Sequence, residues 1–196
     1  EKYTIKDSIY NSLLPKAFTK KSKIYAYFDT KNNWLIVDAV STAKVELFLD
    51  ILKKTLPHVA IASPKFKKLS TIMSHWLLNN SYPNSLGIEK SCVLQDPNQI
   101  GRIIRCQQQD LSARTVQALL KDGYEVKQLA LSWQDQVTFT LKDDFSLCLL
   151  KYQDAILELA QEDIEKKQEK FDTDFIIMTE TISNLTTCLL KAVTKK

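Results

Sequence analysis

Four lysines flank a phenylalanine near the start of the chain: Lys16, Lys20, Lys21 and Lys23 lie around Phe18. Lysines neutralise phosphates, and the counterions that they release give an affinity for nucleic acid that does not depend on sequence. The ring of Phe18 has three interpretations. It stacks on an unpaired base, it fills an apolar pocket of a partner subunit, or it packs in its own core.

A second basic group consists of Lys65, Lys67 and Lys68. The dipeptide Ser63–Pro64 predicts a helix start just before them, with Pro at the first helical position. Cations in a first turn oppose the helix dipole, although they also make a positive helix end that suits a phosphate. A run of solvated charges is the simpler interpretation of these three residues.

The net charge is +4, from 27 basic and 23 acidic residues, and it is unevenly distributed. Residues 1–70 contain 13 lysines and six acidic residues, for a net charge of +7. A basic segment of this kind is the electrostatic footprint of a protein that binds a polyanion. Composition does not distinguish nucleic acid from an acidic lipid or an acidic protein, and a solvated surface explains the charge equally well.

Catalytic and metal-binding patterns are scarce. His58 and His75 lack the partners of a catalytic triad, and no glycine-rich phosphate loop occurs among three glycines. Two carboxylate pairs suit metal or acid–base chemistry: Asp143–Asp144, and Asp172 with Asp174, which could hold the Mg²⁺ of a nuclease. A hairpin turn for the first pair and a helix start for the second are the simpler interpretations. We therefore expect no catalytic residue, no metal site, no cofactor and no enzymatic activity.

The four cysteines form no zinc-binding pattern, and no apolar run is long enough to span a membrane or to act as a signal peptide. This usage fits a reducing cytosol, where cysteines serve as small buried apolar residues. We therefore expect the four cysteines to be free thiols in buried positions: Cys92, Cys106, Cys148 and Cys188.

The first half of the chain predicts alternating helices and strands. Residues 4–14 form a helix that ends at Pro15, and a β-hairpin follows over Ile24–Asp29 and Trp34–Val40. A helix begins at Ser41 or Thr42, ends before Pro57 and carries Lys53 and Lys54 off its apolar stripe. A third strand over His58–Ala62 precedes a helix with one apolar face, formed by Phe66, Leu69, Met73 and Trp76.

The second half predicts a loop over residues 79–99, with a short strand at Ser91–Leu94, and then a strand over Gly101–Gln108. Ser112 caps a helix that ends near Lys121, before Gly123. A three-stranded meander follows, with apolar residues alternating at 129–133, 137–141 and 145–149. A charged helix over 153–168 comes next, and Asp172 or Thr173 caps a final helix striped by Phe175, Met178, Ile182, Leu185 and Leu189.

These elements indicate an α+β fold: two lobes of antiparallel sheet with helices packed on one face, and a C-terminal helix. Residues 1–80 form the basic hairpin and helix lobe. Residues 81–196 form the meander lobe with the C-terminal helices.

Several motifs in collinear order resemble those of the recombination-associated RdgC family. Its closing stretch, from Phe171 to Thr179, is the most specific. The others are Ser12–Phe18, Phe28–Thr30, Leu35–Asp38, Gln109–Leu111, Leu129–Trp133, Asp143–Leu147 and Leu150–Lys151. The resemblance covers the C-terminal two-thirds of the family's sequence, and we expect the family's N-terminal segment to be absent here.

The resemblance implies a bacterial cytoplasmic, nucleoid-associated protein without enzymatic activity. Such proteins bind single- and double-stranded DNA without sequence preference, as a ring-shaped homodimer, and limit RecA-mediated recombination. Carried over residue by residue, it implicates Lys16, Lys53, Lys54 and Arg105 in DNA binding and Phe18 in the dimer interface. Gln107–Gln108 departs from a basic pair in the family, which weakens any DNA contact expected there.

The sequence therefore predicts DNA binding through the basic residues named here. The alternative is a protein–protein module that acts through self-association or RecA, with an incidental basic surface. The predicted DNA contacts are Lys16, Lys20, Lys21, Lys23, Lys53, Lys54 and Arg105.

Overall fold

The structure is a computed structural model that describes residues 2–18, 21–64, 67–99, 101–153 and 167–194. The described elements, in chain order, are α1 (Lys2–Leu13), β1 (Tyr25–Asp29), β2 (Trp34–Asp38), α2 (Thr42–Thr55), α3 (Leu69–Asn79), β3 (Leu86–Gln95), β4 (Ile103–Gln107), α4 (Arg114–Lys121), β5 (Glu125–Trp133), β6 (Val137–Lys142), β7 (Leu147–Tyr152) and α5 (Lys167–Thr194).

The strands form two antiparallel sheets, a β1–β2 hairpin and a five-stranded sheet in the order β4-β3-β5-β6-β7. Alternation of apolar and polar residues in β5 and β6 gives the larger sheet one apolar face. On this face the buried partners lie directly opposite each other: Leu129 and Leu141, Leu131 and Phe139, Trp133 and Val137. The α+β class predicted from the sequence is confirmed.

Two helices supply most of the apolar side chains that cover this face. Full burial of one such side chain contributes about 1.5–3 kcal/mol to stability, so these residues dominate the core. They are Leu69, Met73, Trp76 and Leu77 of α3, and Leu185, Leu189 and Val193 of α5. The apolar stripe predicted for the final helix is confirmed at Leu185 and Leu189, whereas Phe175 stays partly exposed.

The N-terminal elements lie outside this core. No described residue before Leu69 is buried, and α1 is exposed along its length. The hairpin contacts α5 instead. The ring of Tyr27 meets that of Phe175 edge-on, at 5.7 Å between centroids, and Asn32 Nδ2 donates a 2.7 Å hydrogen bond to Ser183 Oγ.

Two predicted elements in the middle of the chain are wrong. The residues His58–Ala62 form no strand, and the helix expected from Ser63–Pro64 begins only at Leu69. Lys67 and Lys68 therefore precede α3 rather than occupy its first turn, and Lys65 lies outside the described residues. Ser-Pro is equally common in turns, so this signal alone does not locate a helix start.

The short strand predicted at Ser91–Leu94 is confirmed, but the loop predicted around it over residues 79–99 is too long, because β3 runs for ten residues from Leu86 to Gln95. Its register against β5 shifts between Ile88 and Cys92 and again between Val93 and Leu94. Each shift interrupts the apolar–polar alternation that identifies a strand in sequence.

The meander is confirmed, and Phe145 and Leu147 of its predicted third strand pack against the core, but the placement of Leu149 on the same apolar face is wrong. Leu149 has a φ of 52° and is 76% exposed, whereas Cys148 is buried. The register between β6 and β7 shifts between Thr138 and Thr140, opposite this point. An irregularity of this kind moves the following side chains to the other face of the sheet.

The predicted helix caps differ from those in the structure. Ala113, not Ser112, occupies the N-cap of α4, because Ser112 donates both its backbone N–H and its hydroxyl to Asp110 Oδ1. α5 already includes Lys167, so Asp172 and Thr173 lie within it and cap nothing. Of the charged helix predicted over 153–168, residues 154–166 lie outside the described part of the chain.

The cysteines are free thiols, and Cys92, Cys106 and Cys148 are buried as predicted. Cys92 lies directly opposite Cys106 in the β3–β4 ladder. Burial and the neighbouring Cys106 raise the pKa of Cys92 to about 12, which keeps this thiol protonated at neutral pH. Cys188 of α5 is only half-buried.

Candidate nucleic-acid interface

The predicted N-terminal basic group is displayed to solvent. Lys16 closes a short 3-10 turn, Leu14–Lys16, and Lys21 and Lys23 lie between this turn and β1, all three exposed. The ring of Phe18 is 106% exposed, so it does not pack in a core of the described residues. Lys20 lies outside the described residues.

Lys53 and Lys54 lie in the last turn of α2, where cations complement the negative end of the helix dipole. Both are exposed, and neither forms a salt bridge with a residue that the structure describes. Their charges are therefore available to a polyanion.

Arg105 occupies the outer face of the five-stranded sheet, away from the helices. It lies opposite Val93, which lies opposite Gln128, which in turn lies opposite Lys142. This row across four strands, the outer-face row, has a cation at each end and no carboxylate. Cross-strand neighbours are about 4.8 Å apart, so the two cations' backbones are separated by about 14 Å.

Sequence reasoning did not include Lys142 or Lys151 among the candidate DNA contacts. Lys151 lies on β7, opposite Thr138 of β6, and is exposed. The signal for Lys142 was present: in the alternation Val137, Phe139, Leu141 of β6, the intervening positions must face outward. Its alignment with Arg105 was not accessible from the sequence, because it depends on the register of three strand pairs.

Lys68 is already neutralised by a neighbouring carboxylate. It donates a hydrogen bond to Glu125 Oε1, and Ser70 Oγ donates to Glu125 Oε2 over 3.1 Å. Burial favours the neutral form of Glu125, but these hydrogen bonds outweigh it, and the pKa of Glu125 is lowered. The positive helix end that the sequence suggested is thus partly cancelled.

The motif Gln109–Leu111 has a structural role. Leu111 is buried in the core, and Asp110 accepts hydrogen bonds from Ser112 that lower the pKa of its carboxyl. Gln107 is exposed at the end of β4, next to Gln108 in a left-handed conformation. The two glutamines give the sheet edge no charge.

The candidate catalytic residues remain separate, with one exception. His75 lies on α3, and Ser81 follows the end of this helix. The Oγ of Ser81 lies 2.7 Å from Nδ1 of His75, and both residues are exposed. No described carboxylate hydrogen-bonds to this histidine. Within the described part of the chain, no three His, Cys, Asp or Glu side chains are grouped closely enough to hold a metal ion.

The match to known proteins covers the whole chain. Residues 1–196 match the family described as "Putative exonuclease, RdgC". The chain belongs to the RdgC family. It is 35% identical, over 98% of its length, to the recombination-associated protein RdgC of Psychromonas ingrahamii, and 36% identical over 97% to that of Haemophilus influenzae. RdgC of Halorhodospira halophila is 32% identical over 91% of the chain.

The family resemblance expected from the sequence motifs is therefore confirmed. The chain spans 64% of the length of the first two RdgC relatives and 60% of the third. The basic N-terminal segment and the outer-face row both lie within the part that matches the RdgC family.

The position of the basic segment relative to the core depends on the turn of the hairpin. Asp29 accepts hydrogen bonds from the Asn32 side chain and from the backbone N–H groups of Asn32 and Lys31. The side-chain bond from Asn32 contributes most to lowering the pKa of Asp29. The same Asn32 amide holds Ser183 on α5.

We predict that Asn32→Ala releases the hairpin from α5, because it removes two partly buried side-chain hydrogen bonds. The expected loss is about 1–3 kcal/mol, seen as faster hydrogen exchange of the amides in residues 25–38. The pKa of Asp29 is lower in the folded protein than in the unfolded chain. The ionised carboxylate therefore contributes fully to the free energy of unfolding above the ordinary carboxyl pKa, and this contribution is lost as the pH falls through the folded pKa. Thr30→Ala, an exposed neighbour, should leave exchange unchanged; equal exchange in both variants would contradict the prediction.

Proposed function

We propose that this RdgC-family chain belongs to a non-catalytic, sequence-independent DNA-binding protein that encircles single- or double-stranded DNA as a homodimer and limits RecA-mediated recombination. One observation carries the proposal: the predicted DNA contacts in the described part of the chain, which do not include the paired Lys68, are exposed and form no salt bridges there. The names of the relatives, which refer to recombination, support it.

The proposed mechanism is electrostatic. Lysine and arginine side chains on an exposed surface contact phosphates rather than base edges, so they fix position on DNA without reading sequence. The contributors that we propose are Lys16, Lys20, Lys21, Lys23, Lys53, Lys54 and Arg105, to which the outer-face row adds Lys142.

Phe18 is proposed as the dimer contact. A fully exposed phenylalanine next to lysines leaves an apolar ring in water, and burial in a pocket of a second subunit removes this cost. The competing proposal is a protein–protein module for which the lysines are incidental.

We further propose a cytoplasmic, nucleoid-associated location, which follows from DNA as the ligand. Among the described helices, none combines the length and apolar character needed to cross a membrane.

The first prediction concerns salt. Affinity for a fluorescent duplex and for its single strand should fall linearly on a log–log plot against salt concentration, with a slope of about −0.9 per phosphate contacted in the duplex. Lys21→Glu with Lys23→Glu, and separately Arg105→Glu with Lys142→Glu, should each weaken binding about tenfold or more and flatten the slope.

The matched control carries the same charge change elsewhere. Lys121 and Lys170 are exposed and lie outside the proposed surface, so their double replacement by Glu should alter binding much less. Equal losses in all three double variants would indicate an effect of net charge only and would sink the proposed surface.

The second prediction concerns Phe18→Ala. The chain should lose dimerisation, measured by light scattering, while the far-ultraviolet circular dichroism spectrum stays unchanged because the ring supports no core contact. If the lysine variants bind DNA normally and Phe18→Ala abolishes dimerisation, the protein–protein module is favoured instead.

The third prediction concerns catalysis, because the family description names an exonuclease whereas the relatives' names do not. Incubation with labelled DNA and Mg²⁺ should leave the DNA intact. Cleavage that disappears in Asp172→Asn with Asp174→Asn would overturn the non-catalytic proposal.

A further inference from the structure

A cleft of about 1040 Å³ lies between α3 and α5. Its volume is just above the usual range of small-molecule sites, about 300–1,000 Å³. It is separate from the lysines around Phe18 and from the outer-face row, since it is lined by the helices on the opposite face of the sheet. The cleft has three features that together indicate a class of ligand.

The first feature is charge. Lys67, before α3, and Lys191, near the end of α5, both line the cleft, and neither forms a salt bridge with a described residue. No aspartate or glutamate lines it among the described residues. A cleft with two cations and no carboxylate favours an anionic ligand.

The second feature is aromatic character. Trp76, Tyr82, Trp133 and His75 all line the cleft. The rings of His75, which is exposed, and Tyr82, which is half-buried, provide surface on which another flat ring can stack. Trp76 and Trp133, by contrast, are buried and form the wall of the cleft. The cleft therefore combines surfaces for a planar group with charges for an anion.

The third feature is an unsatisfied donor. Trp133 is 5% exposed, and its indole Nε1 has no hydrogen-bond partner among the described residues. Burying a donor without a partner is unfavourable, and a hydrogen bond to a ligand acceptor removes this cost. The nitrogen is itself covered, so a cleft side chain must shift when an acceptor reaches it.

We propose that this cleft binds one nucleotide unit. The phosphate lies against Lys67 and Lys191, the base lies against His75 and Tyr82, and a base carbonyl or ring nitrogen accepts from Trp133 Nε1. The same unit is supplied by a free nucleotide or by an unpaired nucleotide of a DNA strand. The site stands apart from the DNA surface proposed above and does not rest on it.

Cys188 provides a direct readout. It lines the cleft and is half-buried, with its Sγ 3.2 Å from Ser85 Oγ, whereas the other three cysteines are buried. Alkylation of the folded chain by iodoacetamide should therefore occur first at Cys188, and mass spectrometry locates it. A ligand in the cleft should slow this reaction by covering the thiol.

The experiment measures the alkylation rate of Cys188 with each of the four deoxynucleoside monophosphates, a short oligothymidylate, inorganic phosphate and an acidic hexapeptide. We expect protection by at least one nucleotide and little by phosphate alone. If a mononucleotide protects Cys188 and the oligonucleotide does not, the ligand of the cleft is a free nucleotide. If the oligonucleotide protects Cys188, the ligand is an unpaired nucleotide of a DNA strand. No protection by any nucleotide or oligonucleotide, equal protection by phosphate, or protection by the peptide alone overturns the proposal.

Variants test the assigned contacts. Lys191→Gln should weaken nucleotide protection about fivefold, and Trp133→Phe should keep the ring but reduce discrimination between bases. Because Trp133→Phe alters a core residue, Lys191→Gln is the primary test. An alkylation rate of Cys188 in ligand-free Lys191→Gln equal to that in the unchanged protein verifies that this variant is folded. Lys121→Gln, on α4 outside the cleft, should behave as the unchanged protein, and unchanged protection in Lys191→Gln overturns the phosphate contact.

Failure here is distinguishable from failure of the proposed function. Lys21→Glu with Lys23→Glu should weaken duplex binding and leave protection of Cys188 by a mononucleotide intact. Loss of both in that variant would contradict a separate site.

Discussion

Burial of one face of the five-stranded sheet is the constraint on which the rest of this structure depends. The pairs Leu129–Leu141 and Leu131–Phe139 require apolar cover, and α3 and α5 provide it. Because side chains in a strand alternate between faces, sealing one face in the core directs every second residue to the other. The outer-face row from Arg105 to Lys142 follows from this alternation, and the two covering helices also line the cleft.

The N-terminal third differs from the rest of the chain in its charge and in the exposure of its side chains. It holds the charge excess of the chain, and it has no buried residue in its described part. Most of the large apolar side chains that are exposed, from Tyr3 to Val59, also lie in this third. The described anchors of the hairpin on α5, Asn32 to Ser183 and Tyr27 to Phe175, are few. The charge excess and most of the exposed apolar side chains thus fall in the same third of the sequence, outside the core.

Local patterns predicted the elements that obey one period throughout. The hairpin, α2, β5 and β6 have unbroken alternation or a clear helical stripe, and all were predicted from them. The failures occur where packing overrides local signals. Only Ser91–Leu94 of β3 was predicted, because two register shifts break the alternation of the strand. Leu149 was placed on the wrong face because the β6–β7 register shifts between Thr138 and Thr140, and α3 begins at Leu69 rather than after Pro64.

The sequence by itself determined the charge distribution, the exposed lysines of the N-terminal segment, the α+β class and membership of the RdgC family, because each depends on residue identity or on short-range order. The tertiary structure determined which charges stay unpaired and which lie together. Lys68 is neutralised by Glu125, Arg105 shares a row with Lys142, and Trp133 shares a cleft with Lys191. Such pairings join residues distant in sequence, and strand register and helix packing, which are non-local, set them.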